Sequence, residues 1–81
     1  MHVVHARAVM TLDEAIARVS RMIGFALDWV TLESFVPETD DPQFRKSALA
    51  SSFLAMLELA RRGRLELDQD EPFAPIMIKA A

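Results

Sequence analysis

The spacing of apolar positions changes several times along the chain, and each change marks an element. From His2 to Met10 the residues alternate loosely, with Val4, Ala6, Ala8 and Met10 to one side and His5 and Arg7 to the other, which predicts a short edge strand. Thr11 and Glu14 stand at capping-box spacing, a hydroxyl at the N-cap and a carboxylate three residues on. Leu12, Ala15, Ile16, Val19, Met22 and Ile23 then recur at helical spacing, predicting a first helix from about Leu12 to Ala26. Trp29 and Val30 read as a short buried strand. Thr31 can cap a brief second helix, Leu32 to Val36, which Pro37 closes because a residue before proline avoids helical backbone. Asp41 followed by Pro42 is a helix start, a cap residue with proline at the first helical position. The third helix runs from there to about Arg62, and Gly63 stands where a left-handed C-cap belongs. Leu65 and Leu67 alternate with Glu66 and Asp68, Asp70-Glu71-Pro72 makes a turn, and Ile76 and Ile78 mark a returning strand. The order is strand, helix, short strand, short helix, long helix, hairpin. That is the α+β order of a winged helix: three helices, a C-terminal β-hairpin wing and a short N-terminal strand, in one domain over residues 1–81.

The third helix is more apolar than one buried face requires. Leu49, Ala50, Phe53, Leu54, Met56, Leu57 and Ala60 fill a broad arc, and Phe44, Ala48, Ala55 and Leu59 add apolar groups beyond it. A surface helix carries an apolar stripe only somewhat wider than about 100°. Two readings follow: a central helix packed on two sides, or a helix that keeps part of its arc for another protein. On the second, Phe53, Met56 and Leu57 are the partner-facing group, since Phe53 and Leu57 lie four apart on one ridge and Met suits an adaptable surface.

Composition narrows the functions. At 81 residues the chain has little core to spare for a deep catalytic cavity, and without cysteine it has no thiolate metal site, disulfide or cysteine nucleophile. No stretch has the length of a membrane span or the form of a signal peptide. His2 and His5 lack a third ligand nearby, Asp68 and Asp70 lack the glycine and terminal glutamate of a calcium loop, and Ser47, Ser51 and Ser52 have no neighbouring histidine. There is no glycine-rich phosphate cradle. These patterns indicate neither an enzyme nor a cofactor.

Charge argues against the commonest winged-helix function. Between Leu65 and Phe73 stand Glu66, Asp68, Asp70 and Glu71 with no Lys or Arg, and the net charge is −3. DNA binding draws its affinity from cations that neutralise phosphates, so an acidic wing is repelled. Arg61, Arg62 and Arg64 form one basic cluster, which a helix C-terminus explains through its dipole. With Arg45 and Lys46 they are also the phosphate contacts a DNA-binding transcriptional regulator would use, the rival reading.

The run Phe53-Leu54-Ala55-Met56-Leu57-Glu58-Leu59, then Gly63, then Leu65 to Phe73 with Gln69, Glu71, Pro72 and Phe73, and finally Ile76, resembles the C-terminal signature of the bacterial kleisins of the segregation and condensation protein A (ScpA) family. It covers roughly the last 30 residues, and Ala74-Pro75 departs from the family's usual pair before the isoleucine. The resemblance implies a non-enzymatic winged helix from the end of a longer kleisin that grips the ATPase head of an SMC protein in chromosome condensation and segregation, in the cytoplasm at the nucleoid. ScpB would engage parts of the protein absent here, and neither nucleic acid nor membrane would be a direct partner. Phe53, Met56 and Leu57 are then the expected head contacts. Gln69, Glu71, Pro72, Phe73 and Ile76 are the wing signature, with Phe73 expected to fold back onto the hairpin base beside Leu67 and Ile76.

Overall fold

A computed structural model describes residues 9–26 and 28–81. Helix α1 (Leu12–Met22) begins with the expected capping box: Glu14 N–H donates to Thr11 Oγ1 at 3.2 Å, and Thr11 N–H donates to Glu14 Oε1 at 3.0 Å. A 3₁₀ turn, Ile23–Phe25, carries the chain onward where the sequence pattern extended the α-helix to Ala26. Strand β1 (Val30–Thr31) follows, one residue later than expected, and Trp29 is exposed rather than buried. The short second helix is a 3₁₀ turn, Leu32–Phe35, because Val36 turns extended ahead of Pro37. Among the described residues there are thus two α-helices where the sequence pattern gave three.

Helix α2 (Pro42–Arg61) starts as read, with Asp41 Oδ1 accepting from Gln43 N–H at 2.9 Å and Pro42 at the first position. It ends in a Schellman motif. Gly63 takes φ +77°, its N–H donates to Ala60 O at 3.0 Å, and Arg64 N–H donates to Leu59 O at 2.8 Å. Strands β2 (Leu65–Asp68) and β3 (Met77–Ala80) pair antiparallel, Leu67 opposite Ile78, and β1 joins the other edge of β3, so the sheet order is β1-β3-β2. The N-terminal strand expected from His2 to Met10 falls almost wholly outside the described residues. Its last two positions are not in a strand. Met10 is instead laced to α2: its N–H donates to Ser47 Oγ at 2.9 Å, and Ser51 Oγ donates to its carbonyl at 2.7 Å.

The core lies where α1, α2 and the sheet meet. Ala15 and Val19 of α1 pack with Ala48, Ala55, Met56 and Leu59 of α2, beneath Leu65, Ile78, Leu32 and Phe35. Small residues at 48, 52 and 55 let α1 approach closely, while Met56 and Leu59 fill the space toward the sheet. This stripe uses one side of α2. Leu49, Phe53, Leu54 and Leu57 are left at the surface.

Candidate partner-docking surface

The exposed side chains of α2 do not form one ridge. Taking about 100° per residue, Leu49 and Phe53 flank the core stripe on the wing side, and Leu57 and Leu54 lie further round. Leu49 and Phe53 accordingly line a groove with Leu32, Phe73, Pro75 and Ile76, open to solvent and about 570 Å³ in volume. Leu54 and Leu57 line a second, shallower groove with Leu12 and Ile16 of α1. Met56 is fully buried in the core and offers nothing to a partner, so the expected trio of Phe53, Met56 and Leu57 is separated. The reason is tertiary. The short side chains at 48, 52 and 55 decide which arc faces inward, and Met56 falls within it.

The wing signature has a backbone explanation. Ala74 N–H donates to Glu71 O at 3.0 Å, closing a four-residue turn with Pro72 at its second position and Phe73, at φ +69°, at its third. Proline at the second position and positive φ at the third define a type II turn, whose third position ordinarily belongs to glycine. Gln69 clasps the turn from inside the loop, its Nε2 donating to Ala74 O at 2.8 Å. Ile76 continues the sheet, its carbonyl accepting from Leu32 N–H at 2.8 Å. Phe73 therefore does not fold onto Leu67 and Ile76. The turn holds its ring fully exposed at the mouth of the groove. Left-handed backbone costs a side chain with a Cβ roughly 1–2 kcal/mol, and strain of this kind gathers at sites of function.

The charges divide between the two grooves. Asp68, Asp70 and Glu71, which precede Phe73 along the wing, are all exposed and without an ion pair among the described residues. Glu66 is drawn toward Lys79, whose Nζ lies 3.9 Å from its carboxylate and 5.1 Å from the centre of the Trp29 ring. The groove beside α1 is edged instead by Glu58, which accepts from Arg61 Nη2 and from Arg62 Nε, both at 2.8 Å. Those hydrogen bonds hold the Glu58 carboxyl below its ordinary range. Two members of the basic cluster are thereby engaged within the domain.

Sequence reasoning passed over two features of this surface. Leu49 lies in the predicted apolar arc, four residues from Phe53 on the same ridge, and this spacing is the signal that points to it. Lys46 was weighed only as a phosphate contact, yet it stands at the rim of the wing groove. Among the described residues no cluster of His, Asp or Glu could hold a metal ion, and no helix is long and apolar enough to cross a membrane. His2 and His5 lie outside them.

No family model matches the chain, and no curated protein does. Among solved structures, the chain is similar to the C-winged helix domain of ScpA, in a crystal structure of the SmcHead bound to that domain. The TM-score is 0.59 and the identity 26%, over 86% of this chain and 93% of that chain.

Proposed function

We propose that this chain is the C-terminal winged-helix domain of a bacterial kleisin of the ScpA type, and that it binds the ATPase head of an SMC protein through its wing groove. The observation that carries the reading is the agreement of two independent likenesses. The winged helix to which the chain is similar was solved on an SMC head, and three residues of the kleisin-like signature, Phe53, Phe73 and Ile76, line this groove. Gln69, Glu71, Pro72 and Ile76 hold the turn and its strand, and Phe73 and Phe53 supply the apolar contact. The role is mechanical rather than chemical: a grip on one subunit of a condensin-like complex that serves chromosome condensation and segregation. ScpB binding belongs to other parts of such a kleisin.

Phe53 and Leu57 separate the two grooves in a single experiment. Phe53→Arg puts a charge into the apolar floor and should weaken binding to the isolated SMC head by at least about 30-fold, the scale of an interface hot spot, with an unchanged thermal melt. Leu57→Arg should bind within about threefold of wild type by the same scale. Calorimetric titration of the head with each variant reads both. Wild-type chain that fails to bind the head overturns the proposal. A head that tolerates Phe53→Arg but not Leu57→Arg moves the interface to the α1 side.

A further inference from the structure

The wing holds more of the molecule's negative charge than its size explains. All nine Lys and Arg lie outside residues 65–76, and so do eight of the twelve Asp and Glu. The body of the chain is therefore close to neutral, slightly positive, while the wing alone carries four acids. Among the described residues only Glu66 has a cation at ion-pair distance, Lys79, while Lys46 stands across the groove from the wing. Asp68, Asp70 and Glu71 are exposed on the strand end and loop that lead to Phe73, the most exposed large apolar side chain described. An aromatic ring held out by left-handed backbone is costly to keep in water, and the exposed carboxylates of the same loop have no ion-pair partner among the described residues.

We infer, resting on the docking reading above, that the wing is an electrostatically guided anchor. Phe73 enters an apolar pocket on the head that is rimmed by Lys and Arg, and the Leu49–Phe53 groove receives an apolar side chain of the head in return. Charge selects this occupant over the others. A second copy would bring its own acidic wing to the same place, and phosphate-bearing surfaces, whether nucleic acid or anionic lipid, are repelled for the same reason. A basic protein surface is attracted at long range, so the acids act chiefly on the rate of encounter, while Phe73 acts on residence once the ring is seated. The type II turn fixes the ring before contact, which lowers the ordering cost of binding.

Rapid-mixing kinetics of this chain with the isolated SMC head, from about 50 to about 500 mM salt, test the inference, since screening shortens from about 14 to about 4 Å over that range. Wild type should lose at least about tenfold in association rate, with little change in dissociation. The near-isosteric triple variant Asp68→Asn, Asp70→Asn, Glu71→Gln keeps the backbone hydrogen bond of Glu71. It should associate about tenfold more slowly at low salt and show a flattened salt slope. Phe73→Ala should keep the wild-type slope and dissociate faster. A wild-type association rate indifferent to salt, or a triple variant that binds like wild type, overturns the charged anchor and leaves head docking standing. No association at any salt overturns both.

Discussion

The two grooves on α2 are cut into the same helix by opposite means. On the α1 side two regular helices leave Leu12, Ile16, Leu54 and Leu57 partly exposed, and Glu58 with Arg61 and Arg62 closes the end of that groove with internal ion pairs. Every charge there has a partner, and no backbone is strained. On the wing side the chain spends left-handed backbone to hold out Phe73, and three carboxylates of the same wing are unpaired among the described residues. Exposed leucines on a helix flank are ordinary, because a folded surface is largely apolar in any case. A strained aromatic in an unneutralised setting is not. What sets the wing apart from the α1 side is backbone strain around an exposed aromatic, rather than apolar area alone.

The largest expected effect tests whether Met56 truly lies between the two grooves and not in either. Met56→Ala removes a fully buried side chain and should destabilise the domain by about 2–5 kcal/mol. That is a large share of the roughly 5–15 kcal/mol such domains possess, and thermal denaturation followed by circular dichroism would register it as a drop of roughly 10 °C or more. A variant that melts like wild type would return Met56 to the surface group and erase the distinction drawn from the core stripe.

A middle-sized effect probes the strain itself. Phe73→Gly places at the third turn position the residue that position prefers, and no packing is lost because the ring touches little. Relief of roughly 1–2 kcal/mol of backbone strain is partly offset by the roughly 0.5–1 kcal/mol that glycine's freedom adds to the unfolded chain. Stability in a urea titration should therefore be unchanged or raised by up to about 1 kcal/mol, while affinity for the head falls as it does in Phe73→Ala. A stability loss beyond about 1 kcal/mol would mean that Phe73 packs on the domain after all, and the wing would then resemble the α1 side.

Where the sequence was legible, a single residue's chemistry decided the local backbone. Thr11 with Glu14, Asp41 with Pro42, and Gly63 gave both helix starts and the end of α2 without reference to anything distant. The hairpin and its acidic face were equally plain from alternation. Misreadings arose where tertiary contact chooses between neighbours on one helix. Phe53, Met56 and Leu57 lie within about 120° of arc, and only the packing of α1 onto Ala48, Ser52 and Ala55 separates inside from outside. Phe73 was misassigned for a different reason: a Phe after a turn was expected to behave as core. Glu71-Pro72-Phe73-Ala74 gave no warning, because proline at the second position suits type I and type II turns alike and a Phe at the third disfavours the positive φ found there.

The smallest expected effect asks whether the ion pairs beside α1 belong to folding alone. Hydrogen bonds from Arg61 and then Arg62 hold the Glu58 carboxyl below its ordinary range, so folding favours its ionised form. The linked stability is present above the unfolded-state value and is lost as pH falls through the lower, folded-state value. Glu58→Gln removes that linkage and leaves Arg61 and Arg62 free to complement the negative end of α2. Wild type should therefore melt slightly above the variant at neutral pH, by a few degrees at most for so exposed a group, and the gap should close as the solution is taken below the usual carboxylate range. Affinity for the head at neutral pH should be the same for both proteins, because the pairs face the groove that docking does not use. A variant with an unchanged melting profile but weakened head binding would show that the α1 side contributes to the grip, and the contrast between the two grooves would become one of degree.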